Sequence, residues 1–168
     1  MTRTLRSSNL WLLSRALLVV ISFSFAEVSL AQTVRSRPAD PGGDDPVFHE
    51  YRGVKLGWLA DDVRKKLGNP ANKGDEQDFY IFDDSKETVQ VFYDKDTHMV
   101  TAISVDFSSG ASDIITPQQV FGSDFEAKSD GSKSKLVRYP KAGYWVSYSR
   151  TAGDKPIITV TMQKMPSQ

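Results

Sequence analysis

Few residues in this chain are of types that do chemistry. His49 and His98 are its two histidines, and it contains no cysteine. His98 closes the run Asp94-Lys95-Asp96-Thr97-His98, whose spaced carboxylates suggest a calcium loop. Such a loop needs glycine at its sixth position and glutamate at its twelfth. Met99 and Val105 stand there instead, both suited to a strand, so the run is read as a hairpin turn. His49 has no partner at metal-ligand spacing. Asp83, Asp84 and Glu87 gather at another expected turn. Paired carboxylates do acid–base work when burial separates their pKa values, but a turn solvates them, and solvation is the expectation here. The serines over 129–134 lack a nucleophile elbow and a His–Asp arrangement. No glycine loop is built to cradle phosphate. The sequence therefore assigns no catalytic, metal-binding or cofactor-binding residue, and reads as a protein that is not an enzyme.

The stronger signal is aromatic. If the strands outlined below place one alternating set of residues in the core, Phe92 and Trp145 fall on the opposite side, among polar residues such as Gln90, Ser104, Ser147 and Thr159. Tyr80 or Phe82, with Arg138 and Tyr139, would extend that patch from neighbouring strands. Aromatics and arginine on an open sheet face are the types enriched where proteins dock. The competing expectation is that the loops Gly68–Asp78 and Gly122–Lys133 fold over this face and bury the rings.

Composition narrows the partners. The chain has 168 residues, with 21 basic and 21 acidic groups. Residues 1–31 hold three arginines against one glutamate, leaving 18 basic and 20 acidic groups beyond them. A near-neutral body has no general attraction for nucleic acid or anionic lipid. Without cysteine there is no disulfide framework, Cys-ligated zinc, thiol nucleophile or lipidated N-terminal cysteine.

The N-terminus reads as an export signal. Arg3, Arg6 and Arg15 precede the apolar stretch Ala16–Ala26, and Ser29-Leu30-Ala31 puts small residues where a signal peptidase would cut, before Gln32. Residues 32–46 carry three prolines, two glycines and three aspartates, and read as a flexible linker. The folded part is expected over 47–165, as two units, 47–110 and 111–165.

Each unit repeats one order of elements. Leu59, Val63 and Leu67 lie on one helical face, with Asp61 and Asp62 at the start and Gly68 and Pro70 at the end. Arg64, Lys65 and Lys66 read as a solvated face favouring the helix C-terminus rather than as an anion patch. Strands follow at Phe79–Phe82, Thr88–Tyr93 and Met99–Phe107, the last with Met99 on the side of Ile103, Val105 and Phe107. In the second unit Thr116, Pro117 and Gln119 form a capping box with proline at the first helical position. Strands then recur at Lys135–Tyr139, Tyr144–Ser149 and Ile157–Met162. Adding 55 carries Val91, Tyr93, Ile103 and Val105 onto Val146, Tyr148, Ile158 and Val160, which suggests a duplication. Units this small hold marginal cores alone. The expected architecture is an α+β two-layer sandwich, in which tandem helix-plus-three-strand units share one antiparallel sheet with both helices on one face. The core set is Val89, Val91, Tyr93, Ile103, Val105, Phe107, Tyr144, Val146, Tyr148, Ile158, Val160 and Met162.

The stretch Gly53-Val54-Lys55-Leu56-Gly57, then Val63 and Leu67-Gly68-Asn69-Pro70, with an aromatic strand at Tyr80, resembles the SmpA/OmlA (BamE-like) family of outer-membrane assembly proteins. Two such units in tandem are similar to the β-lactamase-inhibitor-protein (BLIP-like) fold. The resemblance implies a protein-binding module outside the cytoplasm, in envelope assembly or enzyme inhibition. The leader has no cysteine at its cleavage site, so no lipid anchor is expected, and the exported chain is expected to be soluble in the periplasm or outside the cell. The alternative is an extracytoplasmic small-ligand or cell-wall-binding domain that stacks its aromatics on sugar or lipid. Mass spectrometry of the protein recovered from the cell envelope or medium should find a chain beginning at Gln32; an intact Met1 or Thr2 there would refute the leader.

Overall fold

A computed structural model describes residues 45–166; the leader and linker readings for residues 1–44 lie outside the described residues. Helix α1 spans Ala60–Leu67 and is followed by strands β1 (Gln77–Phe82), β2 (Glu87–Tyr93) and β3 (Val100–Phe107). Helix α2 (Pro117–Phe121) is followed by β4 (Lys133–Tyr139), β5 (Tyr144–Arg150) and β6 (Ile158–Lys164). The six strands form one antiparallel sheet in the order β1-β2-β3-β6-β5-β4, so the fold is the expected α+β layering of helices on a sheet. Among the described residues no helix is long and apolar enough to cross a membrane.

Local signals explain the helix ends. Gly57 (φ +85°) and Gly68 (φ +89°) take left-handed backbone on either side of α1, which a side chain would strain. Thr116 caps α2 reciprocally: its hydroxyl accepts from the Gln119 amide, and Gln119 Oε1 accepts from the Thr116 amide at 2.8 Å. Val63 and Val120, one from each helix, are fully buried over the same face of the sheet.

Eleven of the twelve expected core residues are buried, and Tyr144 is half-buried against the same cluster. Two expectations fail at the edges of α1 and β3. Leu59 precedes the helix instead of lining it, and it is 46% exposed. Met99 is 40% exposed, while Val100 is buried in its place. The register shifts between Phe92 and Tyr93, where Phe92 faces Ala102 but Tyr93 faces Val100, and that irregularity reverses the alternation at the start of β3.

The pairings repeat at a constant offset of 57 residues, not 55. Tyr80↔Val89 becomes Val137↔Val146, and Val91↔Ile103 becomes Tyr148↔Val160. The same offset carries Ala60 to Pro117 and Val63 to Val120. At the centre it relates Ser104 to Thr161, which face each other and share a hydrogen bond of 2.9 Å. Offsets of 55 and 57 preserve the same alternation, so apolar pattern cannot separate them; register does.

One buried cluster fixes α1 to the sheet. Asp78 is fully buried and accepts from Arg64 Nε at 2.8 Å, Arg64 Nη2 at 3.1 Å and Tyr93 Oη at 2.8 Å. The Gly74 amide adds a further bond at 3.2 Å. Arg64 is thus an internal ion-pair partner, not part of a solvated face. Burial pushes the Asp78 carboxyl up, but the bonds from Arg64, Tyr93 and Gly74 outweigh it and hold the group below the usual carboxylate range. Adding 57 carries Arg64 to Phe121 and Asp78 to Lys135, and there Lys135 Nζ lies 5.3 Å from the Phe121 ring centre. A cation–π contact occupies the place of an ion pair.

Replacing Arg64 by alanine strands a buried carboxylate and should cost about 3–5 kcal/mol in chemical denaturation. A carboxyl whose pKa is lower folded than unfolded stabilises above its unfolded value and loses that contribution as pH falls through the folded one. The melting temperature of the wild type should therefore fall more steeply below about pH 4 than that of Asp78→Asn. Parallel acid slopes would show that Asp78 carries no such linkage.

Candidate binding face of the sheet

Alternation along each strand turns one set of side chains to the helices and the other set away from them. The outward set aligns across the ladder into a row that crosses all six strands. Its members are Gln77, Phe92, Ala102, Gln163, Trp145 and Arg138, each registered directly opposite the next. Phe92 and Trp145 are half-buried and Arg138 is exposed. The next row begins at Phe79 and continues through Gln90, Ser104, Thr161 and Ser147 to Leu136. Ile81 and Leu136, on the two edge strands, are each 46% exposed.

The loop expected to hide this face lies elsewhere. Phe125, in the segment between α2 and β4, packs edge-on against Tyr148 with ring centres 5.9 Å apart, on the helix-covered side. The other segment joins the sheet at its edge, where Asn72 and Phe79 exchange backbone hydrogen bonds of 3.1 and 2.8 Å. The outward side of β1, β2, β3 and β6 carries a shallow depression of about 650 Å³. Phe92, Ala102, Ser104 and Thr161 lie in it, flanked by Gln77, Gln90 and Gln163.

Of the six residues singled out from sequence, Phe92, Trp145 and Arg138 share this face. Tyr80, Phe82 and Tyr139 do not. Tyr80 and Tyr139 are buried in the core, and Phe82 lies on the same side with the Arg52 guanidinium 4.6 Å above its ring. The continuous apolar run of β1 hides its parity, and the deciding residue is Asp78, turned inward by its ion pair and bringing Tyr80 and Phe82 with it. Burial, followed by the Asp78 charge, pushes the Tyr80 hydroxyl up to about 12, so it stays protonated at any physiological pH. Nothing in the sequence distinguishes Gln77 and Gln163, because glutamines on a solvated strand face look ordinary until register assembles them around a ring.

The carboxylates at the β1–β2 turn are also rearranged. Glu87 is not solvated: it is buried, accepts a hydrogen bond from the Tyr51 hydroxyl, and binds Arg52 through Nε at 2.9 Å and Nη2 at 2.8 Å. Burial and the nearby Asp113 charge push its carboxyl up. Both Glu87 oxygens are engaged, so the group ties segment 48–54 to the sheet. Asp83 accepts from the Ser112 amide at 2.7 Å and joins the turn to the linker between the halves.

No family model matches this chain, and no curated protein matches it. Among solved structures it is similar to a DUF4309 family protein, YjgB, from Bacillus subtilis subsp. subtilis str. 168, at 15% identity over 69% of this chain and 86% of that one, with a TM-score of 0.43.

Because Phe92 and Trp145 stand outside the core, Phe92→Ala and Trp145→Ala should each cost roughly 1 kcal/mol or less, against about 3–5 kcal/mol for Phe107→Ala, which empties a fully buried site. Equal losses at all three positions in urea titrations would mean that the two rings are structural.

Proposed function

We propose that this chain is a non-enzymatic binding module that acts outside the cytoplasm and docks its partner on the open face of the sheet. The observation that carries this reading is the row from Phe92 through Trp145 to Arg138, on a side that neither helix nor the Phe125 loop covers. Solvated sheet faces ordinarily carry polar residues, and half-exposed rings there need a reason. Action outside the cytoplasm rests on the basic and apolar pattern of the leader.

Two kinds of partner fit. Trp145 and Arg138 are hot-spot residue types, which supports a protein partner in envelope assembly or enzyme inhibition. The depression around Phe92, walled by amides and hydroxyls, supports a cell-wall or small-ligand partner. With Tyr80, Phe82 and Tyr139 on the other side, Phe92 and Trp145 are separate rings in a polar field. They do not form the contiguous apolar centre of a protein interface, so the geometry favours the second kind. The two halves read as diverged copies of one SmpA/BLIP-like unit. Support comes from the constant offset of 57 and from the Lys135–Phe121 pair in the place of Asp78–Arg64.

The test compares the full chain with its Phe92→Ala/Trp145→Ala variant for retention on isolated cell-envelope material. Loss of both rings should weaken retention by at least roughly tenfold while secondary structure persists, whereas Leu59→Ser, at an unrelated exposed position, should bind like the wild type. Undiminished retention of the double variant refutes the open face as the binding surface.

A further inference from the structure

The depression on the open face has a chemistry more specific than a general docking surface. Among the described residues Glu76 is its one charged lining residue, and no lysine or arginine lines it. Gln77 Nε2 donates to Gln90 Oε1 at 3.1 Å, which leaves Gln77 Oε1 and Gln90 Nε2 for a ligand. Ser104 and Thr161 spend one hydrogen bond on each other and keep the rest of their capacity. From Phe92 the row continues through the small Ala102 and through Gln163 to Trp145, three strand spacings away, or roughly 14 Å. One ring-sized ligand cannot touch both aromatics.

We infer that this track binds an extended, uncharged oligosaccharide, with one sugar ring against Phe92 and another against Trp145. This rests on the open face being the docking surface. A sugar offers an apolar C–H face to an aromatic ring and pairs of hydroxyls at its rim to amides, which is the complement of what the track presents. A polyanion would meet Glu76 and, among the described residues, no cation in the depression. An extended peptide would look for unpaired backbone at a strand edge, and β2, β3, β6 and β5 are each paired on both sides.

The experiment titrates the full chain with neutral chito-oligosaccharides from disaccharide to hexasaccharide by calorimetry, and maps the contacts by amide chemical shifts. Affinity should rise on the order of tenfold once the chain is long enough to reach both rings, then level off. Phe92→Ala or Trp145→Ala should each return the longest oligomer to the affinity of the disaccharide. Raising salt from low to physiological should leave binding unchanged, since no ion pair is involved. No binding at any length, or no gain with length, overturns the oligosaccharide; if the double variant still loses retention on envelope material, the docking face itself stands. Binding that maps to the helix side, or that survives loss of both rings, overturns both readings.

Discussion

The seam between β3 and β6 is the constraint on which the rest of the molecule depends. Three strands and one short α-helix cannot enclose a stable core, and among the described residues each half supplies little more than that. Joined through Val105↔Val160 and their neighbours, the halves make a six-stranded sheet whose helix-facing side is continuous. The seam also puts Ala102 beside Gln163, and so links Phe92 of the first half to Trp145 of the second. The candidate binding row exists because the halves are paired.

The halves differ in what anchors their covered side. The first uses two buried carboxylates, Asp78 held by Arg64 and Tyr93, and Glu87 held by Arg52 and Tyr51. Each is fully hydrogen-bonded, the condition under which a buried charge is tolerated. The second half uses rings instead, with Phe121, Phe125 and Tyr148 stacked edge to face under Lys133 and Lys135. These anchors lie on the opposite side of the sheet from Phe92 and Trp145, so changes in the binding row do not disturb them.

Much of the fold was legible. The Thr116 cap, the Gly68 stop and the alternation through Val89, Val91 and Tyr93 are local signals, and the structure has each of them. Phe92 and Trp145 were legible as outward residues for the same reason. Tyr80 and Phe82 fall on the covered side although Phe79–Phe82 is apolar at every position, and an unbroken apolar run carries no parity. Tyr139 directly follows Arg138 on β4, so the alternation that turns Arg138 out turns Tyr139 in. Asp78 attracts no notice in the sequence and Glu87 is expected to be solvated, because a carboxylate looks solvated until its arginine, 14 or 35 residues away in sequence, is seen beside it.

By itself the sequence determined the face of most side chains on β2, β3, β5 and β6, because alternation has a period of two and each strand keeps it over several residues. The start of β3, where the bulge buries Val100 and exposes Met99, is the exception. It left register open, since sliding a strand by two residues preserves every inward and outward assignment. Hydrogen-bonded pairing settled that slide, relating the pairings of the two halves by 57 residues and aligning Phe92, Gln163 and Trp145 in one row. Tertiary structure also decided where charge could be buried, because the bonds that offset desolvation come from residues far apart along the chain.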